Sequence, residues 1–154
     1  MKRSIPIIAA LGILGIGTAH ARNERTIGAV STNFRLLGAN DKVVVERFAD
    51  PKIRNVACFA SFAKTGGVKG SLGVATDPSR FGLSCVASGP VSLPPDLPRR
   101  EQVAAISASF LVKHFNLYRL TGPHRTSLVY ILISTKIIHG SPANAISAVP
   151  VTGG

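Results

Sequence analysis

No Asp or Glu follows Glu101, and only seven acidic side chains stand against 18 Lys and Arg in the 154 residues. A Ser-His-Asp triad or a zinc site built on the last third of the chain would therefore have to borrow its carboxylate from the first two thirds. His114, His124 and His139 have no Cys or carboxylate at ligand spacing around them, so they read as scattered strand or surface histidines and no metal is expected. Trp is absent, aromatic residues make up 6%, and the longest basic cluster is Arg99-Arg100. The clustered cations and aromatic platforms of a nucleic-acid-binding surface are thus missing. No apolar run beyond residue 21 reaches the roughly 20 residues of a spanning helix. No internal repeat is present, and the length is that of one domain, too short for a doubly wound enzyme with a separate substrate domain.

What is present begins with an address. Lys2 and Arg3 precede a nearly unbroken apolar run from Ile5 to Gly17, and Ala19-His20-Ala21 places small residues where a signal peptidase reads them. Residues 1–21 are expected to be a signal peptide cleaved after Ala21, delivering residues 22–154 as a single domain to the periplasm. No Cys follows the run, which argues against a lipoprotein, and no transmembrane segment remains after cleavage. The mature chain keeps 16 basic and 7 acidic residues, a net +9 spread along its length.

Cys58 and Cys85 are the only cysteines, and an exported chain meets an oxidising compartment, so a disulfide between them is expected. Closing a loop of that length is worth roughly 3.5 kcal/mol by chain-entropy arithmetic. A catalytic thiol pair would want the Cys-x-x-Cys spacing and activating neighbours that this chain lacks.

Apolar residues recur in short runs of strand type. Lys42 to Phe48 is β-branched and stops at Asp50-Pro51; Asn55 to Phe62 alternates, with Val56, Cys58, Ala60 and Phe62 on one face. Phe81 to Ser88 forms another strand, Thr126 to Thr135 is rich in Leu, Val, Tyr and Ile and is expected to run on through Lys136 to His139, and Asn144 to Val151 forms a last extended piece. Ile106 to Leu120 would suit either a helix or a strand by length, and its β-branched and aromatic neighbours favour strand. The four glycines between Lys64 and Gly73 predict a turn or hairpin connection, Asp77-Pro78-Ser79 a helix start of about one turn, and the four prolines between Gly89 and Glu101 an extended connection between two halves. Seven or eight short strands with regular turns predict a mainly β fold, a small single-domain sandwich or barrel carrying one disulfide.

Several blocks are familiar. Val45-Glu46-Arg47-Phe48-Ala49-Asp50-Pro51 leads into Asn55-Val56-Ala57-Cys58 and Ala63-Lys64-Thr65-Gly66-Gly67-Val68-Lys69-Gly70; later come Ser84-Cys85, Gly89-Pro90 and the stretch from Gly140 to Val151. Together these resemble the CreA family of exported bacterial proteins over roughly Ile27 to Val151. The resemblance implies a periplasmic location and a disulfide, and it supplies no catalytic residues, since the family has no established activity. The family looks more basic just before the strand near Ser109, where this chain has Val103 to Ala108, so no basic-patch role is carried over there.

The candidate site is an anion-binding loop formed by Lys64, Thr65, Gly66, Gly67, Lys69 and Ser71. Glycines let backbone N–H groups approach a ligand, two lysines bring charge, and two hydroxyls can donate. A tight hairpin needing glycines for its own backbone angles is the plainer reading of the same residues. The order of a Walker loop is absent. Ser61-Phe62-Ala63-Lys64 and Lys64-Thr65-Gly66 mimic two signatures of penicillin-recognising enzymes, but they share one lysine and no Ser-Asp-Asn accompanies them. The expectation is an exported envelope protein, non-catalytic and without a cofactor, that binds an anionic ligand, an anionic envelope component or an acidic protein. The alternative is an enzyme acting on an anionic periplasmic substrate through the Lys64 to Ser71 loop.

Overall fold

A computed structural model describes residues 25–67, 80–109, 113–135 and 140–153. Among these, eight strands run β1 (Thr26–Asn33), β2 (Asp41–Ala49), β3 (Val56–Lys64), β4 (Phe81–Ala87), β5 (Arg100–Ser109), β6 (Lys113–Thr121), β7 (Ser127–Ser134) and β8 (Asn144–Pro150). They form two antiparallel four-stranded sheets, β1-β2-β3-β4 and β5-β6-β7-β8, each in simple sequence order. The fold is mainly β, as the short apolar runs predict. No helix among the described residues is long and apolar enough to cross a membrane.

Alternation decides which side chains face inward. Val56, Cys58, Ala60 and Phe62 of β3 are buried, as are Leu128, Tyr130 and Leu132 of β7 and Phe115 and Leu117 of β6. The two inner faces share one core, joined by the Phe115 ring, which lies 5.0 Å from that of Phe62 and 4.9 Å from that of Phe81 in tilted and edge-on geometry. On one side β4 lies beside β8, and the Cys85 N–H donates to Ser147 Oγ at 2.8 Å.

The proline-rich connection separates two halves, and each half is one sheet. It is not a slack linker: Val91 and Leu97 are buried in the shared core, and the Val91 carbonyl accepts from Gly153 N–H at 2.9 Å. Asn55, in the left-handed region at φ 64°, turns β2 into β3 after Pro51 ends β2. Its Nδ2 donates to the Pro90 carbonyl at 2.9 Å and its own carbonyl accepts from Ser88 N–H at 2.8 Å, tying that turn to the connection.

Three details differ from the sequence reading. Ile106 to Leu120 is not one strand but the end of β5 and most of β6, paired as Ile106 with Phe115 and Ser107 with His114. The residues between them, Phe110, Leu111 and Val112, include no glycine, proline or asparagine to mark a reversal. β5 also starts at Arg100, inside the expected connection, and β1 had no clear apolar alternation to announce it. Asp77-Pro78-Ser79 and Lys136 to His139 lie outside the described residues.

Candidate functional site

Cys58 and Cys85 are bonded, and they stand directly opposite each other on β3 and β4. The bond is buried in the core and lies next to the Ser147 contact that holds the neighbouring sheet edge.

The most polar part of the interior is a cluster the sequence did not announce. Glu101, Arg119 and Tyr130 are register partners in one row across β5, β6 and β7. Asp50, just past the end of β2, meets that row from the other sheet. Arg119 Nη1 donates to both Asp50 oxygens at 2.7 and 2.8 Å, Arg119 Nη2 donates to Glu101, and the Tyr130 hydroxyl donates to Asp50 at 2.7 Å. Lys52 completes the chain of charges at 2.6 Å from Glu101. Asp50 also accepts from the Lys52 and Ile53 N–H groups at 2.8 and 3.0 Å, so its carboxylate is saturated with donors.

Burial and the Asp50 hydrogen bond push the Tyr130 phenol far above its ordinary range, and the Lys52 and Arg119 cations hold Glu101 below the usual carboxylate range. The arrangement neutralises charge inside the fold and fixes one sheet against the other. Arg119 and Asp50 have no solvent-accessible side-chain surface, so a substrate cannot reach them.

Directly outside this cluster is an open cavity of about 280 Å³ lined by residues of the β2–β3 turn and by Ser88. Arg47 and Arg54 line it, both exposed and neither with an ion-pair partner among the described residues. Asp50 is the only acidic residue among those lining it, and its carboxylate points away, buried and paired with Arg119. The cavity is therefore electropositive, with the Ser88 hydroxyl and the Asn55 side chain as polar neighbours.

In the described part of the glycine loop, residues 64–67, the glycine amides are taken up within the chain. The Gly66 N–H donates to Asp41 Oδ1 and the Gly67 N–H to the Ala39 carbonyl, both at 2.7 Å. A Cβ on Gly66 would stand 1.7 Å from the Ala39 oxygen, so this glycine serves close backbone approach between the 65–67 and 34–40 loops. Gly67, at φ 71°, needs the left-handed region as well. The anion these amides meet is the chain's own: Asp41 also takes two hydrogen bonds from Arg35, at 3.1 and 2.7 Å. Those bonds and the Gly66 N–H lower the Asp41 carboxyl to about 2.

Lys64 and Thr65 are half-buried, and Lys64 pairs in register with Lys42. Lys69 and Ser71 lie outside the described residues. His114 and His124 stand at opposite ends of β6 and are exposed; His139 lies outside the described residues. Among the described residues no group of three or more His, Cys, Asp or Glu could hold a metal ion.

One signal could have pointed to the buried cluster. In Phe115-Asn116-Leu117-Tyr118-Arg119, alternation puts Arg119 on the same face as Phe115 and Leu117, and a charge at an inward position implies a buried partner. Arg47 and Arg54 carried no comparable signal, because they come together through the β2–β3 turn.

Residues 27–154 match the family described as CreA protein. Protein CreA of Escherichia coli strain K12 is 41% identical over 150 residues, covering 94% of each chain. The proteins of the same name from E. coli O6:H1 and O157:H7 are similar to the same extent. No solved structure matches the chain.

Proposed function

The chain belongs to the CreA family, and on that premise we propose that it is an exported, periplasmic protein that binds an anionic ligand, or an acidic face of a partner, without transforming it. The observation that carries this reading is the cavity at the β2–β3 turn, where Arg47 and Arg54 face solvent while the carboxylate of Asp50 lies buried behind it, held by Arg119. Two uncompensated guanidinium groups suit phosphate or carboxylate recognition. Export is supported by the charged start, apolar run and Ala-His-Ala of the first 21 residues, and by a disulfide that calls for an oxidising compartment.

The test is thermal unfolding in inorganic phosphate and in pyrophosphate, at low and high NaCl. Pyrophosphate should raise the melting temperature of the wild type, salt should weaken the effect, and Arg47→Ala with Arg54→Ala should abolish it. Absence of any shift, or a shift that survives both substitutions, would sink the proposal. Fractionation of the host cell tests the location: the mature chain beginning near Arg22 should appear in the periplasmic fraction, with a cytoplasmic, full-length protein as the contrary result.

A further inference from the structure

The loop between β1 and β2 turns its polar groups inward and its apolar groups outward. Phe34, Leu36 and Leu37 are 79%, 88% and 73% exposed. Such exposure in a slack loop would mean little, but this loop is pinned. Arg35, between the apolar residues, folds back onto Asp41 with two hydrogen bonds, and its N–H donates to Asn40 Oδ1 at 2.9 Å. Asp41 and the Ala39 carbonyl are in turn held by Gly66 and Gly67. Gly38, at φ 86°, packs so closely on Gly67 that a Cβ there would lie 2.8 Å from the Gly67 Cα. The three apolar side chains are thus presented by a fixed frame, and Ile27 and Val30 of the preceding strand β1 are exposed as well.

At the end of the sheet where this loop enters β2, Lys42 and Lys64 pair in register on β2 and β3. Like charges directly opposite one another are destabilising, and neither lysine has an acidic partner among the described residues. Asp41, the nearby acid, is already paired with Arg35. An apolar tip and an uncompensated pair of cations therefore share one end of the sheet.

We propose that this loop is a membrane-surface anchor: Phe34, Leu36 and Leu37 enter the headgroup region of an anionic phospholipid leaflet, and Lys42 and Lys64 meet its phosphates. Apolar insertion beside basic residues is the general chemistry of interfacial binding. Charge complementarity selects this occupant over a second copy of the chain, whose lysine pair would be brought against its like. A tip of three side chains is also small for a protein interface, which needs about 1,000 Å² of buried surface, whereas shallow insertion into a leaflet needs no such area. The proposal is independent of the Arg47 and Arg54 cavity.

The experiment is flotation with vesicles of phosphatidylcholine alone and of phosphatidylcholine with phosphatidylglycerol. It uses protein recovered after export, its N terminus sequenced so that residues 5–17 do not supply the anchor. Binding should require phosphatidylglycerol and weaken with NaCl. It should fall about tenfold or more in Leu36→Ser with Leu37→Ser, and about 20- to 30-fold in Lys42→Gln with Lys64→Gln. The melting temperature of the leucine variant should stay unchanged, since those side chains are exposed, and Arg47→Ala with Arg54→Ala should leave flotation intact. Equal binding to both vesicle types, or binding indifferent to the leucine pair, overturns the proposal. So does absence of vesicle binding together with a concentration-dependent dimer that the leucine substitutions dissolve.

Discussion

Arg119 and Asp50 stand 69 positions apart in the chain and meet at 2.7 Å with no exposed side-chain surface on either. A buried pair of this kind contributes little compared with a well-packed apolar substitute, yet removing one member strands the other in a medium that solvates charge poorly. Arg119→Met should cost about 3–5 kcal/mol in urea unfolding. Adding Asp50→Asn should recover part of that loss, because the stranded charge disappears. A double variant as unstable as the sum of the two single changes would show that the two residues are not energetically coupled.

Acid should loosen the frame that holds the 34–40 loop. Asp41 is held at about 2 in the folded chain, against an ordinary value of 3.8. A lowered folded pKa means that its contribution is fully present above the unfolded value and is lost as pH falls through the folded one. Glu101, lowered by Lys52 and Arg119, has the same sign. The denaturant midpoint should decline from about pH 4 toward pH 2, and Asp41→Asn should flatten that decline while lowering stability at neutral pH. An acid limb identical in wild type and variant would contradict the role given to Asp41.

Mass spectrometry with a thiol reagent should find no free thiol before reduction and two after it. Replacing both Cys58 and Cys85 by Ala should lower stability by about 2–5 kcal/mol. Because the two residues pair directly across β3 and β4, amide exchange should rise most in β4 and at its contact with β8.

Gly66→Ala separates two readings of the glycine loop. If Gly66 serves close approach, the new methyl group meets the Ala39 oxygen and unfolding should show a loss on the order of 1–3 kcal/mol or more. If it only cradles an external anion, stability without ligand should be untouched. Circular dichroism melts in phosphate-free buffer decide between them.

Most strands were legible because alternation and turn residues agree. β2, β3, β4, β7 and β8 each lie within a few residues of their expected bounds, and the prolines of the connection do separate one sheet from the other. β1 was illegible because its side chains are all exposed, leaving no inward face to impose a period of two. The β5–β6 reversal was hidden by an apolar segment without turn residues. At the site, Lys64 was legible as a source of positive charge, whereas the work of Gly66 was not. A glycine in sequence signals room for close approach and says nothing of what approaches.

The sequence by itself determined a chain of short, alternating strands and the pairing of its only two cysteines, because both follow from local pattern and composition. Only the tertiary structure decided that Arg119 is interior, that Arg47 and Arg54 line one cavity, and that Phe34, Leu36 and Leu37 stand outside. The physical reason is the same for all three. Periodicity states which face of a strand a residue occupies, but the cost of putting a charge inside or an apolar group outside depends on what the rest of the fold sets against it. For Arg119 that partner is Asp50, from the other sheet; for the apolar loop it is the frame of Arg35, Asp41 and Gly66, which takes the polar groups and leaves the hydrophobic ones facing water.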